Sequence, residues 1–171
     1  MAKGLQRSLS RAPRGKRDIV KEFIDMTGDT ITVAGATGIG FGSVALGSFP
    51  EGFILLLGAQ VTDLVFTGSG TGHTTTFDGD YGVGTTAADD GTISLGDENV
   101  IAETALGAAT ASVSPNLDTG NATTAIIDNS ADDQDLYLNL IIDDAAISAD
   151  DVVFTVTTGG LWIVYTMIGD D

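Results

Sequence analysis

The stretch that decides the fold is residues 152–168, which read VVFTVTTGGLWIVYTMI. Valine, isoleucine, threonine and aromatic residues dominate it, and these residue types favour β-strands. The Gly159-Gly160 pair in the middle is typical of a two-residue hairpin turn. The stretch therefore predicts two strands, residues 152–158 and 161–168, joined by a tight turn.

A second stretch, residues 136–142, shows the alternation of a half-buried strand. Leu136, Leu138, Leu140 and Ile142 would share one face, with Tyr137, Asn139 and Ile141 on the other. Outward from these segments, short strand-like runs alternate with Gly- and Asp-rich turns. The other predicted strands are residues 29–33, 41–46, 52–60, 64–67, 73–77, 92–95, 108–113 and 123–127.

This pattern of about eleven short strands predicts an all-β protein. The expected architecture is an antiparallel β-sandwich, jelly-roll-like, with an extended basic N-terminal arm. Two segments are open to other structures: residues 18–26 fit either a helical stripe or a strand, and residues 102–109 fit one helical turn in a loop.

Charge is divided sharply along the chain. All 7 Lys and Arg residues lie within residues 1–21, and 7 cations less Asp18 give this segment +6. Residues 22–171 hold the other 23 acidic residues and no Lys or Arg, so the whole chain carries −17. We therefore predict two parts, a basic N-terminal arm (residues 1–21) and an acidic β-sandwich domain (residues 22–171). The cations of the arm are Lys3, Arg7, Arg11, Arg14, Lys16, Arg17 and Lys21.

This charge distribution limits the partners. The acidic body repels itself at low salt and is not expected to bind nucleic acid specifically through its surface. The arm could contact nucleic acid, an acidic protein surface or the acidic body of a neighbouring copy. A mitochondrial transit peptide has a similar Arg- and Ser-rich composition, but the body does not resemble a matrix enzyme. No apolar run approaches the roughly 18 residues of a membrane span, so no membrane partner is expected.

Composition and motifs argue against an enzyme. The chain has no Cys and one His, His73, which excludes thiolate chemistry and multi-histidine metal sites. Residues 31–45 contain the glycine spacing of a dinucleotide loop at Gly40, Gly42 and Ala45, but strand-like residues follow where a helix is required. We expect a Gly-rich strand–turn–strand there.

The acidic clusters are expected to be solvated turns. Asp78 and Asp80 form a D-x-D start that could hold Ca²⁺ or Mg²⁺ weakly, but no complete calcium-binding loop follows them. Paired carboxylates could also act on a glycoside, and His73 could serve a nucleophilic Ser, but no nucleophile elbow is present. We predict no catalytic residue and no cofactor beyond such a weakly bound cation.

The terminal predicted strand is apolar on both faces, which is typical of a strand covered on both sides. Leu161, Ile163 and Tyr165 would lie on one face, with Trp162 and Val164 on the other. A single sandwich covers one face only, so the other is predicted to meet a neighbouring subunit, with burial by the chain's own loops as the alternative. The subunit-interface candidates are Trp162, Val164 and Tyr165, and the outward apolar Ile141 adds a further reason for association.

Five segments and a tryptophan together resemble the structural proteins of tailed bacteriophages, of the capsid decoration or cement kind. They are GIGFG (38–42), FPEGFILLLGA (49–59), FDGDYGVGTT (77–86), ALGAAT (105–110), DLYLNLIIDD (135–144) and Trp162. The resemblance covers roughly residues 25–170. None of these segments is a chemical motif, so the resemblance speaks to fold and role.

The resemblance implies a β-sandwich on the outer capsid surface of the virion, often as a homotrimer. Such a protein lies over junctions between subunits of the major capsid protein and braces them against DNA pressure. The basic arm would anchor it to that shell or to neighbouring copies. The alternative is a tail-fibre, head-fibre or receptor-binding β-domain that contacts host glycans. A third hypothesis is a small β-sandwich carbohydrate-active enzyme or calcium-dependent lectin.

Overall fold

The computed structural model describes residues 19–34, 39–69, 79–106, 112–113, 116–118, 126–129, 134–142 and 151–169, and most of them form strands. Among them, one 3₁₀ turn, Leu95–Asp97, is the helical element, and no helix is long and apolar enough to cross a membrane. The strands are β1 Ile19–Asp25, β2 Thr30–Val33, β3 Gly40–Ser48, β4 Gly52–Ser69, β5 Gly79–Gly84, β6 Ile101–Ala105, β7 Ser112–Val113, β8 Asn116–Asp118, β9 Ile126–Asn129, β10 Asp135–Ile142 and β11 Val152–Gly169.

The first sheet is built on β4 and β11, two 18-residue strands. They run antiparallel from Phe53 opposite Gly169 to Ser69 opposite Val153. β1 and β2 pair end to end along the other side of β11. β7, β8 and β9 pair along the free side of β4. Both edges of this sheet are thus made of short segments, while its centre is a single long ladder.

The second sheet has the order β3-β10-β5-β6, again antiparallel. With β1 and β2 counted as one position and β7 to β9 as another, the chain has eight strand positions. The first sheet then has the order 1-8-3-6 and the second has the order 2-7-4-5. This interleaving is the jelly-roll order, in which all but one pair of consecutive positions lie in different sheets. The predicted antiparallel, jelly-roll-like β-sandwich is confirmed.

One hydrophobic core lies between the two sheets. Alternate residues of β10 and β11 face it, as the period-two pattern requires. These buried side chains include Leu136, Leu138, Leu140, Leu161, Ile163 and Tyr165. Each fully buried side chain of this size contributes about 1.5–3 kcal/mol relative to exposure, so the core is the main source of stability.

The hairpin predicted at Gly159-Gly160 is wrong, because β11 runs straight through it. The two glycines instead lie where the pairing of β11 with β4 changes register. A Cβ on Gly160 would collide with the ring of Phe23 on β1. Glycine therefore serves here as an irregularity within a strand and a place of close approach, a role that the same sequence signal also fits.

Other predicted turns, boundaries and helical segments are also strand in the structure. Residues 52–60 and 64–67 form one strand, β4, which bends past Asp63 at φ 48°. The ambiguous residues 18–26 include strand β1, so the proposed boundary between residues 21 and 22 falls inside a strand. The start of the proposed helical turn at 102–109 is strand β6. Predicted strand 73–77 and most of 108–113 lie outside the described residues.

The predicted strand at residues 92–95 is wrong, because it belongs to a segment that folds over the outer side of the second sheet. We call residues 85–100 the strap. Side chains on Gly82 or Gly84 of β5 would collide with strap atoms, which shows how closely the strap lies on the sheet. Ile141 of β10 is only 2% exposed in the single chain. Its proposed contribution to a subunit contact is therefore also wrong.

Asn139 of β10 holds the strap in place. Its Nδ2 donates to the carbonyl oxygens of Thr86 (3.0 Å) and Asp97 (2.7 Å). Its Oδ1 accepts from the Ser43 hydroxyl (2.7 Å) and from the amide N–H of Ala88 (3.0 Å). Asn139 is fully buried, and both polar atoms of its side-chain amide are hydrogen-bonded, as buried polar groups usually are. The Ala88 N–H is shared, because it also donates to the Ser43 hydroxyl at 2.9 Å.

We predict that Asn139→Ala lowers the free energy of unfolding by about 2–4 kcal/mol, because it removes four hydrogen bonds between β10, β3 and the strap and leaves the Asp97 carbonyl without its buried donor. Urea unfolding followed by circular dichroism measures this. Asn99→Ala is the matched control. Among the described residues, the Asn99 side chain bonds to Thr85 alone, at 3.0 and 2.9 Å, and its loss should cost about 1 kcal/mol. Equal losses in the two variants would contradict the central role of Asn139.

We predict that Asp97→Asn stabilises the protein at neutral pH. Burial, together with the nearby charges of Asp89, Asp90 and Glu98, raises the pKa of the Asp97 carboxyl above its usual 3.8. The folded state therefore binds this proton more tightly than the unfolded chain, and ionisation opposes folding. The penalty is complete above the raised pKa and fades as the pH falls towards 3.8.

Urea unfolding at a series of pH values tests this expectation. The advantage of Asp97→Asn over the unmodified protein should be present at pH 7 and shrink steadily on acidification. An advantage that stays constant with pH would show that the carboxyl charge is not its cause.

Candidate interaction surface

Trp162 lies on the outer side of the first sheet, beside β1. It is half-buried and pairs with Phe23 of β1 and Gln60 of β4. The ring centroids of Phe23 and Trp162 are 4.8 Å apart, and Lys21 Nζ lies 4.4 Å from the centre of the Trp162 ring. Because side chains two apart on a strand share a face, Lys21 and Phe23 both reach the tryptophan. The cation contributes about 0.5–1 kcal/mol at such a site.

Around Trp162 the outer side of this sheet is largely apolar. In one register row, Ile19 pairs with Thr166, Thr166 with Leu55, and Leu55 with Ile126. Ile19 is 69% exposed and Ile126 is 47% exposed. We define the apolar face as the outward side chains of Ile19, Phe23, Phe53, Leu55, Leu57, Ile126, Trp162 and Val164. The solvent-facing side of a sandwich sheet is ordinarily polar, and a contiguous apolar patch marks an interaction site.

Few charges interrupt this face. Among the described side chains that point outward from these rows, Lys21 and Asp128 are charged, and Asp25 lies exposed one outward position beyond Phe23 on β1. Lys21 lies against Trp162, and Asp128 lies at the border, paired with Phe53. Although the body carries 23 acids, the described side chains at the centre of the apolar face thus include no carboxylate.

Of the three predicted interface residues, Trp162 and Val164 lie half-buried on the outer side, in the positions that contact with another subunit requires. Such contact stays a prediction. Tyr165 is a correction: it is fully buried in the core, with its ring edge-on to Phe49 at 5.9 Å. Its hydroxyl donates to Glu22 Oε2 at 3.4 Å, and burial followed by the Glu22 charge raises the pKa of the phenol. Tyr165 therefore cannot contact another subunit.

The arm is described only where it enters β1. Lys21 is paired opposite Val164 and belongs to the sheet. The other six predicted anchoring residues lie outside the described residues: Lys3, Arg7, Arg11, Arg14, Lys16 and Arg17. Residues 1–18 therefore precede Ile19, which is the first described residue and a member of the apolar face.

The predicted cation pair is only half described. Asp80 lies on β5, paired with Ile141 and Ala105, whereas Asp78 and His73 lie outside the described residues. In the described part of the chain, no three His, Asp or Glu side chains come together to hold a metal ion. A weak site for Ca²⁺ or Mg²⁺ at Asp78 and Asp80 stays a prediction.

The Gly-rich segment is a strand rather than a phosphate loop where it is described. Gly40, Gly42 and Ala45 all lie on β3 and pair with β10. A Cβ on Gly42 would meet the backbone of Thr32 on β2. Glycine here permits close approach between strands of the two sheets, which explains the composition without a ligand.

Two parts of this arrangement were missed from sequence. The strap could have been suspected from Asn139, an amide within the otherwise apolar run 136–142. The partnership of Phe23 and Lys21 with Trp162 had no local signal, because it joins positions 139 and 141 residues apart through the pairing of β1 with β11.

Comparison with known proteins assigns no family. No protein-family model matches the chain. No curated protein sequence matches it closely enough to count as a relative.

Proposed function

We propose that this protein is a non-enzymatic structural protein of a tailed-phage virion, which decorates and stabilises the outside of the capsid. The observation that carries the proposal is the separation of charge: a cationic N-terminal segment joins, at β1, a jelly roll that has no Lys or Arg of its own after Lys21. The resemblance of residues 25–170 to decoration proteins supports the same role. Jelly rolls recur in viral capsids, although the fold alone does not specify function.

In this proposal the arm and the body have different tasks. The arm binds an acidic surface of the major capsid protein or of neighbouring copies, and the acidic body faces outward and keeps particles apart. A protein that binds only the assembled shell stabilises it by mass action, so no catalytic group is needed. The working form is a homotrimer, as the resemblance implies.

The alternative function is a fibre or receptor-binding domain that contacts host glycans. Such a domain would use an exposed aromatic ring to stack on a sugar, and Trp162 is the single tryptophan of the chain. However, Lys21 and Phe23 already lie against its ring. This geometry favours the decoration role.

We predict that deleting residues 2–17 leaves a folded β protein that no longer binds heads. Binding would be measured by co-sedimentation with heads purified from the phage that encodes the chain, prepared without this protein. Binding of the unmodified protein should also weaken as NaCl is raised, because salt screens the arm charge.

The matched control keeps the length of the arm and removes its charge, with Gln at Lys3, Arg7, Arg11, Arg14, Lys16 and Arg17. It should fail to bind as the deletion does. Truncated protein that decorates heads as tightly as the unmodified chain would place the anchor in the body. Failure of the unmodified protein to bind heads would contradict the decoration role itself.

A further inference from the structure

We propose that the apolar face is an interface between copies of this chain. The inference rests on the homotrimer of the proposed function and names the surface through which its copies meet, from the outer side of the first sheet. The face runs across four hydrogen-bonded strands, β1, β11, β4 and β9, so its side chains are held in fixed register rather than on mobile loops.

The face can supply part of a contact of this kind. Three strand spacings make it about 14 Å across, and the distance along β11 from the row of Trp162 to the row of Phe53 makes it about 20 Å long, so its footprint is on the order of 300 Å². This is at the lower end of the roughly 300–600 Å² that the largest apolar patch of a soluble monomer covers, and such a patch is often functional. It falls short of the ~800 Å² that each partner buries in a stable complex, so surrounding groups must add to the contact.

Thr166 is a buried residue within the face. It alternates outward between the core residue Tyr165 and the core-packed Met167, and lies in the row between Ile19 and Leu55. It is 8% exposed, and its Oγ1 is covered by its own chain. The surface that another molecule meets in this row is therefore formed by the apolar side chains of Ile19, Leu55 and Ile126.

Charge identifies the occupant as a second copy. A basic partner would bind best where the acids of the body are dense, whereas this face keeps carboxylates away from its centre. Two chains of −17 each repel wherever their acidic surfaces meet, so they can approach closely only through a carboxylate-poor surface. The apolar face is such a surface, and among the described residues Lys21 and Asp128 lie on it or at its border, where they can pair between copies.

The sequence next to the face carries charge opposite to that of the body. Residues 1–18 precede Ile19, a member of the face, and hold six cations. A neighbour docked on the face brings its acidic body close to Ile19, where the basic segment begins in sequence. A second copy thus satisfies both the apolar rows and the charge of the arm.

The test is the mass of the full-length protein in solution, free of capsids, measured by sedimentation and light scattering over a wide concentration range. We expect a mass of at least twice 17.4 kDa. Leu57→Asp with Ile126→Asp should raise the dissociation constant roughly tenfold or more, and the milder Ile126→Ser should raise it less. Both positions are over 40% exposed, so the variants should keep the unmodified melting curve.

Leu95→Asp is the matched control, since Leu95 is 82% exposed but lies on the strap over the other sheet. It should assemble like the unmodified chain. A monomeric unmodified protein, assembly of the double variant that matches the unmodified protein, or equal dissociation by Leu95→Asp would each overturn the interface. Loss of self-association with head binding retained would separate this inference from the capsid role.

Discussion

The rest of the structure depends on one electrostatic constraint: after Lys21 the chain has no Lys or Arg with which to balance its 23 carboxylates. The body therefore cannot form internal Lys or Arg ion pairs and must fold on apolar burial and neutral hydrogen bonds. Its buried polar contacts follow this rule, because Asn139 pairs with carbonyls, an amide and a hydroxyl rather than with a charge. Two features are then suited to contact with other molecules. They are the basic arm, which holds the cations, and the apolar face, which has few charges.

The long ladder between β4 and β11 gives this constrained body its frame. Every short strand of the first sheet pairs with one of these two, so the short edge strands do not depend on one another for pairing. The ladder also fixes both faces of β11. Leu161, Ile163 and Tyr165 enter the core, while Trp162 and Val164 face outward beside β1. The apolar face is thus a consequence of register, since a shift by one residue would exchange the two sets.

The fold class was accessible from sequence because period-two alternation and strand-forming residues act locally, as in Leu136–Ile142 of β10. The two long strands were not, because Gly159 and Gly160 give the same signal for a turn and for an irregular strand. Only the pairing partner and the ring of Phe23 decide between the two. The alternation of residues along β11 was enough to place Tyr165 and Trp162 on opposite faces of the strand. It could not identify their neighbours on β1, because these lie far away in sequence. The strap depends on one amide, Asn139, whose four partners have no common sequence pattern.

Electron cryomicroscopy of the virion tests the central claim most directly, because it would resolve both proposed contacts, that of the basic arm and that of the apolar face. The account predicts jelly rolls on the outer surface of the capsid, with residues 1–18 against an acidic surface of the shell or of a neighbour. It also predicts that Trp162, Val164 and Ile126 are buried between copies. Jelly rolls that meet through their acidic sides, with the apolar face open to solvent, would contradict it, as would the absence of the protein from the particle.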